Sequence, residues 1–179
     1  AIVEHHLARA GAAGRAGAVF RRTDAREAIG PVLAAVRGLS GGRDVAIEAS
    51  FHGDAHVAMD AQDLQEVVGN LLDNAVKWAR SRVVLTLEAV TGALDVLVDD
   101  DGPGIPDAAR AQAMARGTQL DTASPGSGLG LAIVRDIAAL YRIGFDLEAS
   151  PLGGVRARLR IPRAAAGNVP FTISSEERP

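Results

Sequence analysis

Cysteine is absent from the 179 residues, which excludes disulfides and thiolate metal sites and fits a reducing compartment. Aromatic residues make up only 3%, so a core has to be built from Ala, Val, Leu and Ile. No apolar run approaches the roughly 18 to 20 residues that a membrane span requires, and no signal peptide is visible at the start. An excess of positive charge is lacking too: the net charge of −3 leaves no footprint for nucleic acid and no polybasic membrane patch. What is present is a 47% hydrophobic, 23% charged composition of a globular chain, long enough for one domain with a real core.

Periodicity divides the chain. The opening AIVEHHLARAGAAGRAG (residues 1–17) is helix-like from its first residue and reads as the end of a longer helix of a larger protein. After the short extended piece AVFRRT, Asp24 with Glu27 predicts the start of a helix that SGG stops near Leu39. VAIEAS (45–50) alternates as a half-buried strand, with HVAMD (56–60) as its expected hairpin partner. Asp60 caps a helix in which Leu64, Val67, Val68, Leu71, Leu72 and Ala75 form one apolar face. RVVLTLEAV (82–90) and ALDVLVDD (93–100) are strands joined by a TG turn, followed by DGPGIP and a short helix near 107–115. Residues 116–127 have the composition of a mobile loop, 129–141 are helical, and two strands flank PLGG before a loosely held tail, 164–179. Helices mixed with hairpin strands, without regular βαβ alternation, predict an α+β fold. Its form is a two-layer sandwich, a mostly antiparallel sheet with helices on one face.

The helix VVGNLLDNAVKWAR (67–80) carries an oddity. Asparagine is a poor helix former, yet Asn70 and Asn74 stand one turn apart, with Glu66 one turn before and Lys77 three residues after. The four share a face opposite the Leu/Val stripe. That face is either simply solvated or used: carboxamide oxygens ligate Mg²⁺ without adding charge, and a lysine supplies a point charge for phosphate.

Two glycine loops follow. DDGPGI (100–105) leaves a strand directly; Gly102 and Gly104 allow a flat ligand close to backbone, and the acceptor-only Asp100 suits the exocyclic amine of adenine. A plain tight turn with capping aspartates is the other reading. PGSGLGLAIV (125–134) sets three glycines at a helix entrance, where bare N–H groups and the helix dipole favour an anion. It lacks the G-K-[ST] ending of a P-loop, and Leu131 breaks a dinucleotide fingerprint.

In this order, N-x₃-N-x₂-K, D-x-G-x-G and G-x-G-x-G resemble the N, G1 and G2 boxes of the GHKL (Bergerat) ATP-binding fold. Residues 18–162 resemble the catalytic and ATP-binding domain of bacterial sensor histidine kinases, and VVGNLLDNAVKWA, VDDDGPGIP, LDTASPGSGLGLAIVRDI and LGGVRARL are most similar to its PhoQ branch. The resemblance implies a catalytic domain over 15–163, preceded in 1–14 by the end of a dimerisation-hairpin helix. It implies ATP and Mg²⁺ as cofactors, with Asn70 and Asn74 on the metal and Lys77 on phosphate. Asp100, Gly102 and Gly104 fall at the adenine, Trp78 beside the nucleotide, Arg116, Gly126, Gly128 and Gly130 toward the phosphates and Ser127 near the metal, with Ile105 and Leu129 also on ATP. Glu66 is a candidate to assist a proton.

The implied reaction passes the γ-phosphoryl group to a histidine outside this chain, on the missing hairpin, and then to an aspartate of a response regulator. The implied parent is a homodimer anchored in the bacterial inner membrane, with this part cytoplasmic and touching neither nucleic acid nor membrane. A nucleotide-binding module without catalysis is the alternative. The related ATPases of the gyrase, MutL and Hsp90 type place a water-activating glutamate where Asn70 stands, and an amide is no general base at neutral pH. Some family features are altered: Met114 replaces the phenylalanine before the lid, Gln119 and Ser124 replace lid arginines, and Ser127 replaces a glutamine. No phosphoacceptor motif is present. His5 and His6 read as helix-surface residues, and His52 and His56 as exposed, with no carboxylate or histidine partner at metal spacing.

Overall fold

The computed structural model describes residues 22–39, 44–106 and 129–164. Strand β1 (Arg22–Asp24) leads into helix α1 (Ala25–Leu39), whose start is capped by Asp24 Oδ1 accepting from the Arg26 N–H at 2.9 Å. Strands β2 (Ala46–His52) and β3 (His56–Ala58) precede helix α2 (Ala61–Trp78), where Asp60 Oδ1 accepts from the Gln62 N–H at 2.9 Å. Strands β4 (Arg82–Val90) and β5 (Ala93–Asp100) form a hairpin through Gly92, which turns at a φ of 72°. Helix α3 (Leu129–Tyr141) and strands β6 (Gly144–Ala149) and β7 (Val155–Pro162) complete the described chain.

The five-stranded sheet has the order β2-β4-β5-β7-β6, antiparallel except for β2 with β4. The expected α+β sandwich is therefore correct, but one pairing is not as predicted. β3 does not form a hairpin with β2; it pairs antiparallel with β1, with Thr23 opposite Val57. The chain turns away after β2 at Gly53 (φ 80°), and α2 carries it back to lay β4 parallel to β2. Parallel neighbours need such a crossover, so a single βαβ unit sits within the sheet.

The apolar face of α2 packs on the sheet: Leu64, Val67, Val68 and Leu72 are wholly buried with Val83, Leu85, Leu94, Val96, Leu159 and Ile161. β5 is buried on both faces. Its inward residues Leu94, Val96 and Val98 join the core, while outward Asp95 and Asp99 lie directly across from Arg160 and Arg156 of β7. Each arginine grips its partner with two hydrogen bonds, of 2.7 Å at Asp95 and 2.9 Å at Asp99, and the arginine stems cover the strand. Among the described residues no helix is long and apolar enough to cross a membrane.

Candidate functional site: a cleft between α2, the β5 loop and the head of α3

Glu66, Asn70, Asn74 and Lys77 are half-buried, unlike their fully exposed neighbour Asp73. At Asn70 this polar face meets the first turn of α3. Asn70 Nδ2 donates to the Glu66 carbonyl at 2.8 Å, which fixes the amide and leaves Oδ1 as its outward atom. That oxygen faces the first turn of α3: a Cβ on Gly130 would lie 3.1 Å from it. An amide oxygen beside a helix N-terminus suits a bound cation and its anion, since Mg²⁺ takes oxygen ligands and the helix head favours negative charge. The donor set thus fits Mg²⁺ held with a polyphosphate. No group of three or more His, Asp and Glu side chains that would hold a metal without it exists among the described residues. At the end of α2, the Lys77 ammonium lies 5.3 Å from the centre of the Trp78 ring, a cation–π distance.

The other wall is built by the exit of β5. Asp100 is buried, its Oδ1 accepting from the N–H groups of Gly102 (2.8 Å) and Val155 (3.2 Å). Burial raises its carboxyl pKa, against the pull of those two N–H groups. The packing around it admits only glycine. A Cβ on Gly154 would sit 2.0 Å from Asp100 Oδ1, and one on Gly102 2.5 Å from the Trp78 carbonyl oxygen. Gly104, at a φ of 75°, lies against the carbonyls of Gly153 and Gly154, and Ile105 follows half-buried. Next to Asp100, the Asp101 carboxylate accepts from the backbone N–H groups of Arg80 and Ser81 and from Ser81 Oγ at 2.6 Å. The Ser81 hydroxyl and these N–H groups hold its carboxyl well below the usual carboxylate range.

Asn70, Asn74, Lys77, Trp78, Asp100, Gly102, Gly104, Ile105 and Gly130 thus lie on α2, the exit of β5 and the first turn of α3, elements that meet where Asn70 adjoins Gly130 and the Trp78 carbonyl adjoins Gly102. Arg116, Gly126, Ser127 and Gly128 lie outside the described residues, as do the Leu129 side chain, the short helix near 107–115, His5 and His6. Sequence reading gave no site role to Gly154, Val155, Ser81 or Asp101. The only sequence signal for them was the glycine pair after PL and the third consecutive aspartate. His56 departs from expectation. It is half-buried rather than exposed, with Nδ1 2.6 Å from Asp54, two residues back in the preceding turn, and Nε2 4.0 Å from Asp24, which the β1–β3 pairing sets opposite it. His52 is exposed as expected.

A sandwich of this topology, with the Asn70 amide beside the head of α3 and a buried aspartate beside the end of α2, places the chain among ATPase-type domains. The chain belongs to the family of histidine kinase-, DNA gyrase B- and HSP90-like ATPases, whose model matches residues 59–165. Within it, the likeness is to sensor histidine kinases. The sensor protein kinase CarS of Pseudomonas aeruginosa is 49% identical over 108 residues, 60% of this chain and 24% of that protein. The virulence sensor histidine kinase PhoQ of Salmonella typhimurium is 38% identical over 120 residues, 67% of this chain and 23% of that protein. The solved structure of the mycobacterial sensor histidine kinase MprB superposes with a TM-score of 0.70 at 28% identity, covering 79% of this chain and 97% of that one. The chain spans about a quarter of the length of the curated relatives it matches.

Proposed function

We propose that this chain is the ATP-binding kinase domain of a two-component sensor histidine kinase, and that the cleft between α2, the β5 loop and the head of α3 holds Mg·ATP. The observation that carries the reading is the fixed Asn70 amide, whose oxygen faces Gly130 in the first turn of α3, while buried Asp100 lies at the other end of α2, where Gly102 separates it from the Trp78 carbonyl. Asn70 and Asn74 would hold Mg²⁺, which when bound neutralises charge on the triphosphate. Lys77 sets its ammonium on phosphate oxygen, and the free N–H groups at the head of α3 receive the remaining negative charge. Asp100 accepts the adenine amine; guanine, with an oxygen there, is repelled. Lid residues Arg116, Gly126, Ser127, Gly128 and Leu129 approach the phosphates in this reading, and Glu66 assists a proton.

The γ-phosphoryl group then passes to a histidine on a hairpin outside this chain and on to a response-regulator aspartate. Such transfer depends chiefly on positioning and charge neutralisation. The larger protein, in this reading, is a membrane-anchored homodimer. With no glutamate at position 70 to activate water, hydrolysis is not the main activity.

Radiolabelled ATP supplied together with the intact hairpin tests this. Label on histidine is expected. Nucleotide binding without any transfer of label would instead make the domain a nucleotide-gated interaction module, and release of inorganic phosphate alone would make it an ATPase.

A further inference from the structure

Two adjacent carboxylates at the end of β5 face opposite ways. Asp100 holds the turn before β7, through the Val155 N–H. Asp101 holds the turn after α2: Oδ1 accepts from the N–H groups of Arg80 (2.8 Å) and Ser81 (3.1 Å), and Oδ2 from the Ser81 N–H (3.1 Å) and hydroxyl (2.6 Å). Its own N–H donates to the Arg82 carbonyl at 3.2 Å. The turn so gripped begins directly after Lys77 and Trp78, the last two residues of α2. It brings the Trp78 carbonyl against Gly102, where even a methyl group would not fit.

Resting on the nucleotide reading of the cleft, we propose that Asp101 is a positioning residue that sets the spacing between base-reading Asp100 and the phosphate-directed end of α2. Asp101 touches no part of the nucleotide. A ligand with two recognised ends gains from having both partners held at the right separation beforehand, since the second contact then costs little further ordering. Without the strut each end keeps its own groups, but their separation is no longer fixed. The loss therefore falls on ligands that engage both ends, not on the base alone. Asparagine keeps most of the strut: its oxygen accepts the two backbone N–H groups and its NH₂ donates to Ser81 Oγ, and only the second bond from the Ser81 N–H is lost.

The test measures Mg·ATP and adenosine affinity by calorimetry on the whole chain, with the emission of Trp78, its single tryptophan, as a local readout. In wild type, Mg·ATP is expected to bind far more tightly than adenosine. Asp101→Ala is expected to narrow that ratio roughly tenfold, because every hydrogen bond from the strut to Arg80 and Ser81 is lost. Adenosine affinity stays unchanged, Trp78 emission shifts, and Asp101→Asn restores both readouts. Ser81→Ala, which keeps the carboxylate, gives a smaller narrowing and decides the matter should Asp101→Ala not fold. A wild-type ratio in Asp101→Ala, or in Ser81→Ala if that variant has to decide, overturns the proposal. Equal losses for adenosine and Mg·ATP also overturn it, since they mark a merely structural role. Wild type that binds no Mg·ATP overturns the nucleotide reading itself, a result distinct from the other two.

Discussion

Asp99, Asp100 and Asp101 are three identical side chains in a row, and their surroundings give each a different task. Asp99 pairs with Arg156 on the open face of the sheet, Asp100 ties the β5 exit to the start of β7, and Asp101 ties down the turn after α2. Alternation along the strand sends Asp99 and Asp100 to opposite faces, which the sequence makes plain. The partner of each is not readable in this way, because Arg156, Val155 and Ser81 come from distant parts of the chain. Asp100 carries a pH prediction. Burial raises its pKa, so protonation, and with it loss of the acceptor proposed for adenine, begins at a higher pH than for an exposed aspartate. Calorimetric titration with ATP across the acid range should show affinity falling earlier in wild type than in Asp100→Asn, which lacks this titration and is weaker at neutral pH. Parallel curves for the two proteins would remove Asp100 from the base site. Gly154→Ala should abolish binding outright, since the added carbon overlaps the Asp100 carboxylate.

Among the elements, α1, α2, β4, β5 and α3 fall where periodicity and caps put them. The 3.6-residue stripe of α2 and the period-2 alternation of β4 are strong local signals. The partner of β3 was not legible. Neighbouring strands commonly pair, but β3 has only three residues, and the core takes Val57 together with β1. Choice of partner is a tertiary matter for so short a strand. The asparagines of α2 were legible as an anomaly, and the structure adds how one of them is oriented. We expect Asn70→Ala to remove Mg-dependent ATP binding while leaving the melting temperature within a few degrees. The lost bond is one local hydrogen bond, of about 1 kcal/mol, and alanine is the better helix former. Binding curves that coincide with and without the mutation would contradict the metal assignment.

For the whole molecule, core and charge make separable predictions. Leu72, wholly buried between α2 and the sheet, should cost about 2–5 kcal/mol when cut to alanine, read as a lower denaturant midpoint at unchanged slope. The pH profile of stability has two limbs of opposite sign. Asp100, raised in the folded state, takes up its proton first on acidification and so adds stability as pH falls through its raised value. Asp54 and Asp101, held low by His56 and Arg163 and by Ser81, stabilise fully above the unfolded value of 3.8 and lose that contribution below it. Thermal melts should therefore show stability first rising and then falling on acidification. Asp100→Asn should lose the rise and keep the fall.

The surroundings of Asp100, the proposed base site, are stitched from residues near 80, 101 and 154, so no short stretch of this polypeptide owns them. Excised peptides bearing the glycine motif should consequently show no affinity for adenine, however faithfully they copy it. By the same token, saturating Mg·ATP ought to delay heat unfolding of every strand together instead of shielding one loop, which hydrogen exchange read across β4, β5 and β7 would register as uniform slowing.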